Sequence, residues 1–228
     1  MHYAVEPAPI PSLPIQGSDA RFPVHRIYCI GRNYAEHARE MGAEAVSRGN
    51  PVFFLKPADA IVTRSEVPYP SVTKDLHHEV EMIVGLASGG RDIDAARALE
   101  CVFGYGVGLD LTRRDLQAAA KAKGLPWDTA KAFDASAPVS ALRAASEIGH
   151  PSRARLSLHV NGEVRQDTDI ADMIFPVAEI VAELSKLFEL KPGDVVFTGT
   201  PAGVGPLARG DGFIAELQGI ARLEGRMA

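Results

Sequence analysis

The sequence predicts an α+β, strand-rich domain. Three observations lead there. Short apolar runs bounded by Gly, Pro and Asn recur along the chain. An alternating segment, Leu156 to Arg165, is centred on Asn161-Gly162, a strong hairpin signal. Helical periodicity is confined to a few short stretches.

The elements follow in order. Pro7, Pro9, Pro11 and Pro14 punctuate residues 1–22. Proline removes a backbone donor and fixes φ, so this stretch is expected to be an extended N-terminal arm. Residues 23–228 are expected to form one catalytic domain. Arg26–Ile30 reads as a buried strand ending at Gly31. Asn33 is placed as a helix N-cap with Glu36 reaching back, and the helix runs from about Tyr34 to Ala45. Pro51–Pro57 reads as the next short strand. Residues 79–86 and 101–110 are strands joined by a short helix over 94–101. Thr112 is placed as the cap of a helix reaching Lys123, stopped by Gly124 and Pro126. Ile174, Val177, Ile180, Val181, Leu184 and Leu187 share one helical face. Val195–Thr198 is a strand feeding the glycine-rich loop 199–205, and Phe213–Leu217 is a further strand.

Composition narrows the function. The 228 residues are 46% hydrophobic and 23% charged, with a net charge of −5. That balance gives no electrostatic case for nucleic acid or an anionic membrane surface. No apolar run approaches a membrane span, and the N-terminus lacks the pattern of a signal peptide. The two cysteines, Cys29 and Cys101, sit in apolar stretches and read as reduced core residues. A cytoplasmic compartment is expected.

Strand alternation turns Glu79 and Glu81 to one side. A solvent-facing edge is the alternative, but the apolar Met82, Ile83 and Val84 that follow weigh against it. On the strand over 101–110, Gly104, Gly106, Gly108 and Asp110 share one face. Three glycines weaken a strand unless something approaches closely. A neighbouring backbone and a metal-bound ligand are both open as the reason. Three carboxylates with free positions suit a hard divalent ion such as Mg2+, Mn2+ or Ca2+.

His37 and Glu40 are three apart on the expected helix, so they are surface neighbours. The carboxylate would fix the imidazole tautomer and make a general base; an ordinary surface ion pair has the same spacing. Arg32, Lys56, Arg113, Arg114 and Lys131 fall near element ends and together suit an anionic substrate. The loop Gly199-Thr200-Pro201-Ala202-Gly203 offers N–H groups to a carboxylate or enolate oxygen. It lacks the Gly-Lys-Ser/Thr ending of a phosphate loop.

Six segments in this order, Gly31-Arg32-Asn33-Tyr34, Phe54-Leu55-Lys56-Pro57, His78-Glu79-Val80-Glu81, Gly108-Leu109-Asp110-Leu111-Thr112, Trp127-Asp128-Thr129-Ala130-Lys131 and Thr198-Gly199-Thr200-Pro201, resemble the fumarylacetoacetate hydrolase superfamily. Within it the chain looks most like the fumarylpyruvate hydrolases. The resemblance implies a mixed β-sheet roll of the superfamily's C-terminal-domain type, usually a homodimer. It implies one Mg2+ or Mn2+ per subunit on Glu79, Glu81 and Asp110. It places a general-base dyad at His37 and Glu40, on a lid helix over 33–48, and gives Lys131 an electrostatic role. Gln117 would lie near the metal or hold water, and Arg32, Tyr34, Lys56 and Thr200 would line the substrate pocket.

The expected reaction is hydrolysis of a carbon–carbon bond in a small anionic 2,4-dioxo acid, with 3-fumarylpyruvate giving fumarate and pyruvate. The alternatives on the same chemistry are acylpyruvate hydrolysis, oxaloacetate decarboxylation and isomerisation of a 2-hydroxydienedioate. A non-catalytic metal- or anion-binding β-protein is the alternative from another class.

Overall fold

Two β-sheets packed face to face enclose the main core of the computed structural model, which describes residues 2–40 and 49–228. The first sheet has six strands in the order Arg143–Ala144, Val102–Leu109, Val80–Leu86, Asp194–Phe197, Arg26–Gly31 and Val52–Lys56. Asp194–Phe197 runs parallel to Arg26–Gly31 and the other pairings are antiparallel, so the sheet is mixed. The second sheet has five strands in the order Glu163–Asp169, Arg155–Val160, Gly212–Leu217, Ala221–Met227 and Glu66–Val67. Few and short helices complete the strand-rich fold that the sequence predicts.

Alternation explains the packing. Val80, Met82, Val84 and Leu86 point between the sheets and meet Leu156, Leu158, Phe213, Ala215 and Leu217 from the facing one. Ile83 points the other way, into a smaller apolar cluster with Leu13, Phe22, Ile27, Val139 and Leu142. The hairpin Arg155–Val160 to Glu163–Asp169 forms around Asn161 and Gly162, at φ 53° and 83°, the conformation of a type I′ turn.

The glycine ladder resolves in favour of backbone. A Cβ on Gly104 would lie 2.3 Å from the Arg143 carbonyl oxygen, and one on Gly108 would lie 2.8 Å from that of Pro138. The segment 138–144 covers the bare face, and Asp110 emerges where that cover ends.

Several expectations change. The N-terminal arm is not extended throughout: Ser12–Ile15 and Ser18–Pro23 form a hairpin that buries Leu13 and Phe22. Pro11 and Pro14 still leave room for this pairing because a two-stranded ribbon has free edges. Asn33 is no helix cap. Its side chain donates to the carbonyls of Phe175 and Thr198 and accepts from the Phe175 N–H, clamping three segments together. Glu36 pairs with Arg39 instead. Thr112 is no cap either: it pairs with His77 in a short strand, and the helix begins at Arg114. The segment over 94–101 is helical only as a 3-10 turn at Ala98–Cys101. The first helix spans Ala35–Glu40, and residues 41–48, over which the expected helix and lid continue, lie outside the described residues. Ala221–Met227 is a strand that periodicity did not reveal. Both cysteines are buried and free. Among the described residues, no helix is long and apolar enough to cross a membrane.

Candidate active site

One end of the six-stranded sheet carries the carboxylates. Glu81 sits on the strand Val80–Leu86, opposite Gly108. Glu79 occupies the break between that strand and the short strand Leu76–His78, and Asp110 follows directly after Leu109. The Asp110 N–H donates to the Glu79 carbonyl, which draws the two chain breaks together. All three side chains are buried, and each offers an oxygen within 4.8 Å of the others.

Buried carboxylates need compensation. Lys131 Nζ donates to Glu79 Oε2 and to Asp110 Oδ2, both at 2.7 Å. Arg114 donates to Glu79 Oε1 at 2.5 Å and to Gln117 Oε1 at 2.5 Å. Lys56 Nζ lies 2.8 Å from Asp110 Oδ1 and donates to the carbonyls of Leu111 and Lys131. Burial alone would push the Glu79 carboxyl up, but Lys131 and Arg114 outweigh it and hold its pKa below the usual range. The Lys131 ammonium is pulled down by burial and more strongly raised by Asp110 and Glu79 together, so it stays charged.

Glu81 is different. It makes no side-chain ion pair among the described residues and accepts the Gly199 N–H at 2.6 Å. Burial, then the charges of Asp110 and Glu79, push its carboxyl well above the usual range. A divalent cation at this point would relieve that repulsion, and the donor set consists only of hard oxygens. The triad therefore fits one divalent ion of the Mg2+ and Mn2+ class.

His37 lies on the wall of the same pocket. Its Nδ1 is 3.3 Å from Glu40 Oε2, and Glu40 in turn accepts the Gly203 N–H at 3.1 Å. Burial pushes the imidazole below its ordinary pKa, and Glu79 and Glu40 only partly offset this. The ring is thus neutral at pH 7, as a proton acceptor must be.

The pocket brings together His37, Glu79, Glu81, Asp110, Lys131, Gln117, Arg32 and Thr200. Tyr34 and Lys56 are not in its wall. Tyr34 is buried, with its hydroxyl lacking a hydrogen-bond partner among the described residues. Lys56 is spent on Asp110 and on backbone carbonyls. Two N–H groups of the loop 199–205, expected to face substrate, are instead taken by Glu81 and Glu40. The loop holds the protein's own carboxylates in place.

Sequence reasoning left Lys121 and Trp127 outside the site and treated Arg114 only as one of several basic residues. Arg114, Gln117 and Lys121 recur at three and four residues on one helix and all line the pocket. That period was the available signal. Gln166 was hidden in the hairpin. Its Oε1 accepts from Val80 N–H and from His78 Nδ1, and its Nε2 donates to Thr200 Oγ1 at 2.7 Å. No local pattern marks such a long-range link.

Comparison with known proteins places the chain among its relatives. Over 100% of this chain and 99% of the other, the structure superposes on fumarylpyruvate hydrolase from Pseudomonas aeruginosa in complex with Mn2+ and pyruvate, with a TM-score of 0.97 and 49% identity. The oxaloacetate tautomerase YcgM of Escherichia coli (strain K12) is 44% identical over 206 residues, 90% of this chain and 93% of the relative. The mitochondrial oxaloacetate tautomerase FAHD1 of Bos taurus is 44% identical over 199 residues, 87% of this chain and 89% of the relative. Residues 26–228 match the family described as fumarylacetoacetate (FAA) hydrolase C-terminal, and the chain belongs to that family.

Proposed function

We propose that this chain hydrolyses a carbon–carbon bond in a 2,4-dioxo acid, with 3-fumarylpyruvate as the substrate, giving fumarate and pyruvate. The observation that carries the reading is the His37–Glu40 pair on the wall of the pocket floored by Glu79, Glu81 and Asp110. Hydrolysis needs a base for water beside a place for the dioxo group, and the closeness of this pair to the triad supports that division of roles. The pyruvate and Mn2+ of the 49% identical hydrolase support the same reading.

Glu79, Glu81 and Asp110 would hold Mg2+ or Mn2+, which when bound supplies Lewis-acid polarisation of the 2-oxo oxygen. With Nδ1 turned to Glu40, Nε2 of His37 is the nitrogen left to take a proton from water. The resulting hydroxide adds to the C4 carbonyl, and the C3–C4 bond breaks. The electron pair passes to C3 and onto the 2-oxo oxygen. Lys131 provides fixed positive charge on that side of the pocket. The proton held by His37 returns to C3, so one water is consumed and fumarate and pyruvate leave. Gln117 and Thr200 would orient the substrate. The helix Ala35–Glu40 would form part of the lid over the site in a single catalytic domain. A homodimer is part of the same proposal, checked by sedimentation.

The tautomerase relatives favour a second reading, proton transfer between C3 and the 2-oxo oxygen of oxaloacetate. That step needs His37 but no attacking water. Turnover of 3-fumarylpyruvate and of enol-oxaloacetate, measured with added Mg2+ or Mn2+, separates the two. Cleavage with release of pyruvate supports the hydrolase. Fast enol-to-keto conversion without cleavage of any 2,4-dioxo acid overturns it in favour of the tautomerase.

A further inference from the structure

The helix Arg114–Ala122 contributes three residues to the pocket lining. Arg114 is bound to Glu79, Gln117 follows three residues on, and Lys121 stands four beyond that. At a rise of about 1.5 Å per residue, Lys121 is displaced from Arg114 by roughly 10 Å along the axis. Lys121 and Arg32 are the two pocket-lining cations that have no carboxylate partner among the described residues; Arg114 and Lys131 are both committed to the triad.

Arg32 comes from another segment, the turn after the strand Arg26–Gly31, where its φ is 60°. That left-handed conformation is costly for a residue with a Cβ and sets where the side chain leaves the backbone. The two cations are close enough to repel. Neighbouring atoms crowd the Lys121 ammonium, although the residue is exposed by area, and push its pKa down; the like charges of Arg114 and Arg32 add to this. Trp127 closes the same part of the wall. Its ring lies 5.2 Å from the Lys121 ammonium and 6.3 Å from the Phe54 ring.

We infer that Lys121 and Arg32, beside the flat face of Trp127, form a distal anion subsite that reads a second carboxylate on the substrate. The inference rests on the proposed function for the position of the first carboxylate, at the triad. It adds which side chains read the second carboxylate, the one that leaves on the acyl fragment. A seven-carbon 2,4-dioxo diacid has six bonds of ~1.5 Å and extends over roughly 7–8 Å between its terminal carbons, a span the ladder from Gln117 to Lys121 and beyond can serve. An unsaturated, planar acyl chain suits the Trp127 wall.

The test separates binding from turnover. Binding of 2-oxopimelate, a diacid without the 4-oxo group, and of 2-oxoheptanoate, its monoacid match, is measured by calorimetry on the Mn2+-loaded chain. The expected result is at least a tenfold preference for the diacid, reduced to near parity in Lys121→Met and recovered in Lys121→Arg. Arg32→Met should reduce the preference in the same direction. Equal affinity for the two ligands in the unaltered chain, or an undiminished preference in Lys121→Met, overturns the subsite. Cleavage of 3-fumarylpyruvate is assayed alongside. Diacid preference without cleavage removes the hydrolase reading and leaves the subsite standing; cleavage without diacid preference does the reverse.

Discussion

Lys131 donates to Glu79 at 2.7 Å in a fully enclosed contact, and the same ammonium reaches Asp110 at 2.7 Å. One lysine therefore compensates two of the three buried carboxylates. Removing it leaves Glu79 only Arg114 and Asp110 only Lys56, so the buried carboxylates lose a shared compensating charge, at a cost of up to about 3 kcal/mol. Lys131→Met should lower the thermal midpoint of the metal-free chain markedly. Mn2+ should restore more of the loss in the variant than it adds to the unaltered chain. Equal metal-induced shifts in the two would show that Lys131 does not shield the triad.

Burial and the charges of Asp110 and Glu79 raise the Glu81 pKa well above the usual carboxylate range, which favours a bound proton in the metal-free chain. An ion that binds there must displace that proton. Titration with Mn2+ in two buffers of different ionisation enthalpy should show proton release. Glu81→Gln should abolish the release and weaken Mn2+ binding while changing metal-free stability little. Release that survives in Glu81→Gln would assign the proton elsewhere.

The acid limb of activity should report His37. Its pKa lies below the ordinary histidine value, so the neutral, active form persists as pH falls below about 6.5. Glu40 raises that pKa through its hydrogen bond and charge. Glu40→Gln should therefore move the acid limb of kcat/KM to still lower pH. It should also lower kcat by roughly 10²-fold, the scale of a disturbed general base. A pH–rate profile gives both readouts, and a limb that moves upward contradicts the pairing.

His78 should make stability fall in acid. Burial, aided by the charges of His77 and Arg165, pushes its pKa down to about 4 against the Gln166 hydrogen bond that favours the charged ring. Below about 6.5 the unfolded chain takes a proton that the folded chain refuses until near 4. The contribution is complete above 6.5 and is lost as pH drops to 4, amounting to roughly 3 kcal/mol. Urea midpoints between pH 7 and 4.5 should show this slope, and His78→Gln should flatten it.

Gly104→Ala should be severe, because its Cβ would lie 2.3 Å from a backbone oxygen that cannot rotate away. A loss of about 2–4 kcal/mol is expected. Gly106→Ala meets the Ser140 hydroxyl at 3.0 Å and should cost less. Denaturation midpoints of the two variants check the order.

What was legible in the chain was local. The period of two put Glu79 and Glu81 on one side. The three-residue spacing made His37 and Glu40 neighbours, and Asn161-Gly162 named its hairpin. These follow from backbone geometry that any short segment carries with it. Alternation and the glycine ladder also brought Glu79, Glu81 and Asp110 forward as candidate metal ligands, and the family resemblance added the role expected of Lys131.

The rest depended on residues far apart in sequence. Nothing local says that Asn33 clamps Phe175 and Thr198, that Gln166 ties His78 to Thr200, or that 138–144 covers Gly104, Gly106 and Gly108. Nothing local says that Lys56 serves Asp110 while Lys121 lines the pocket without a carboxylate partner among the described residues. Side-chain type and spacing dictate which groups are available and which way they start out. Packing decides which of them spend their charge and hydrogen bonds on one another, and so which remain for a ligand.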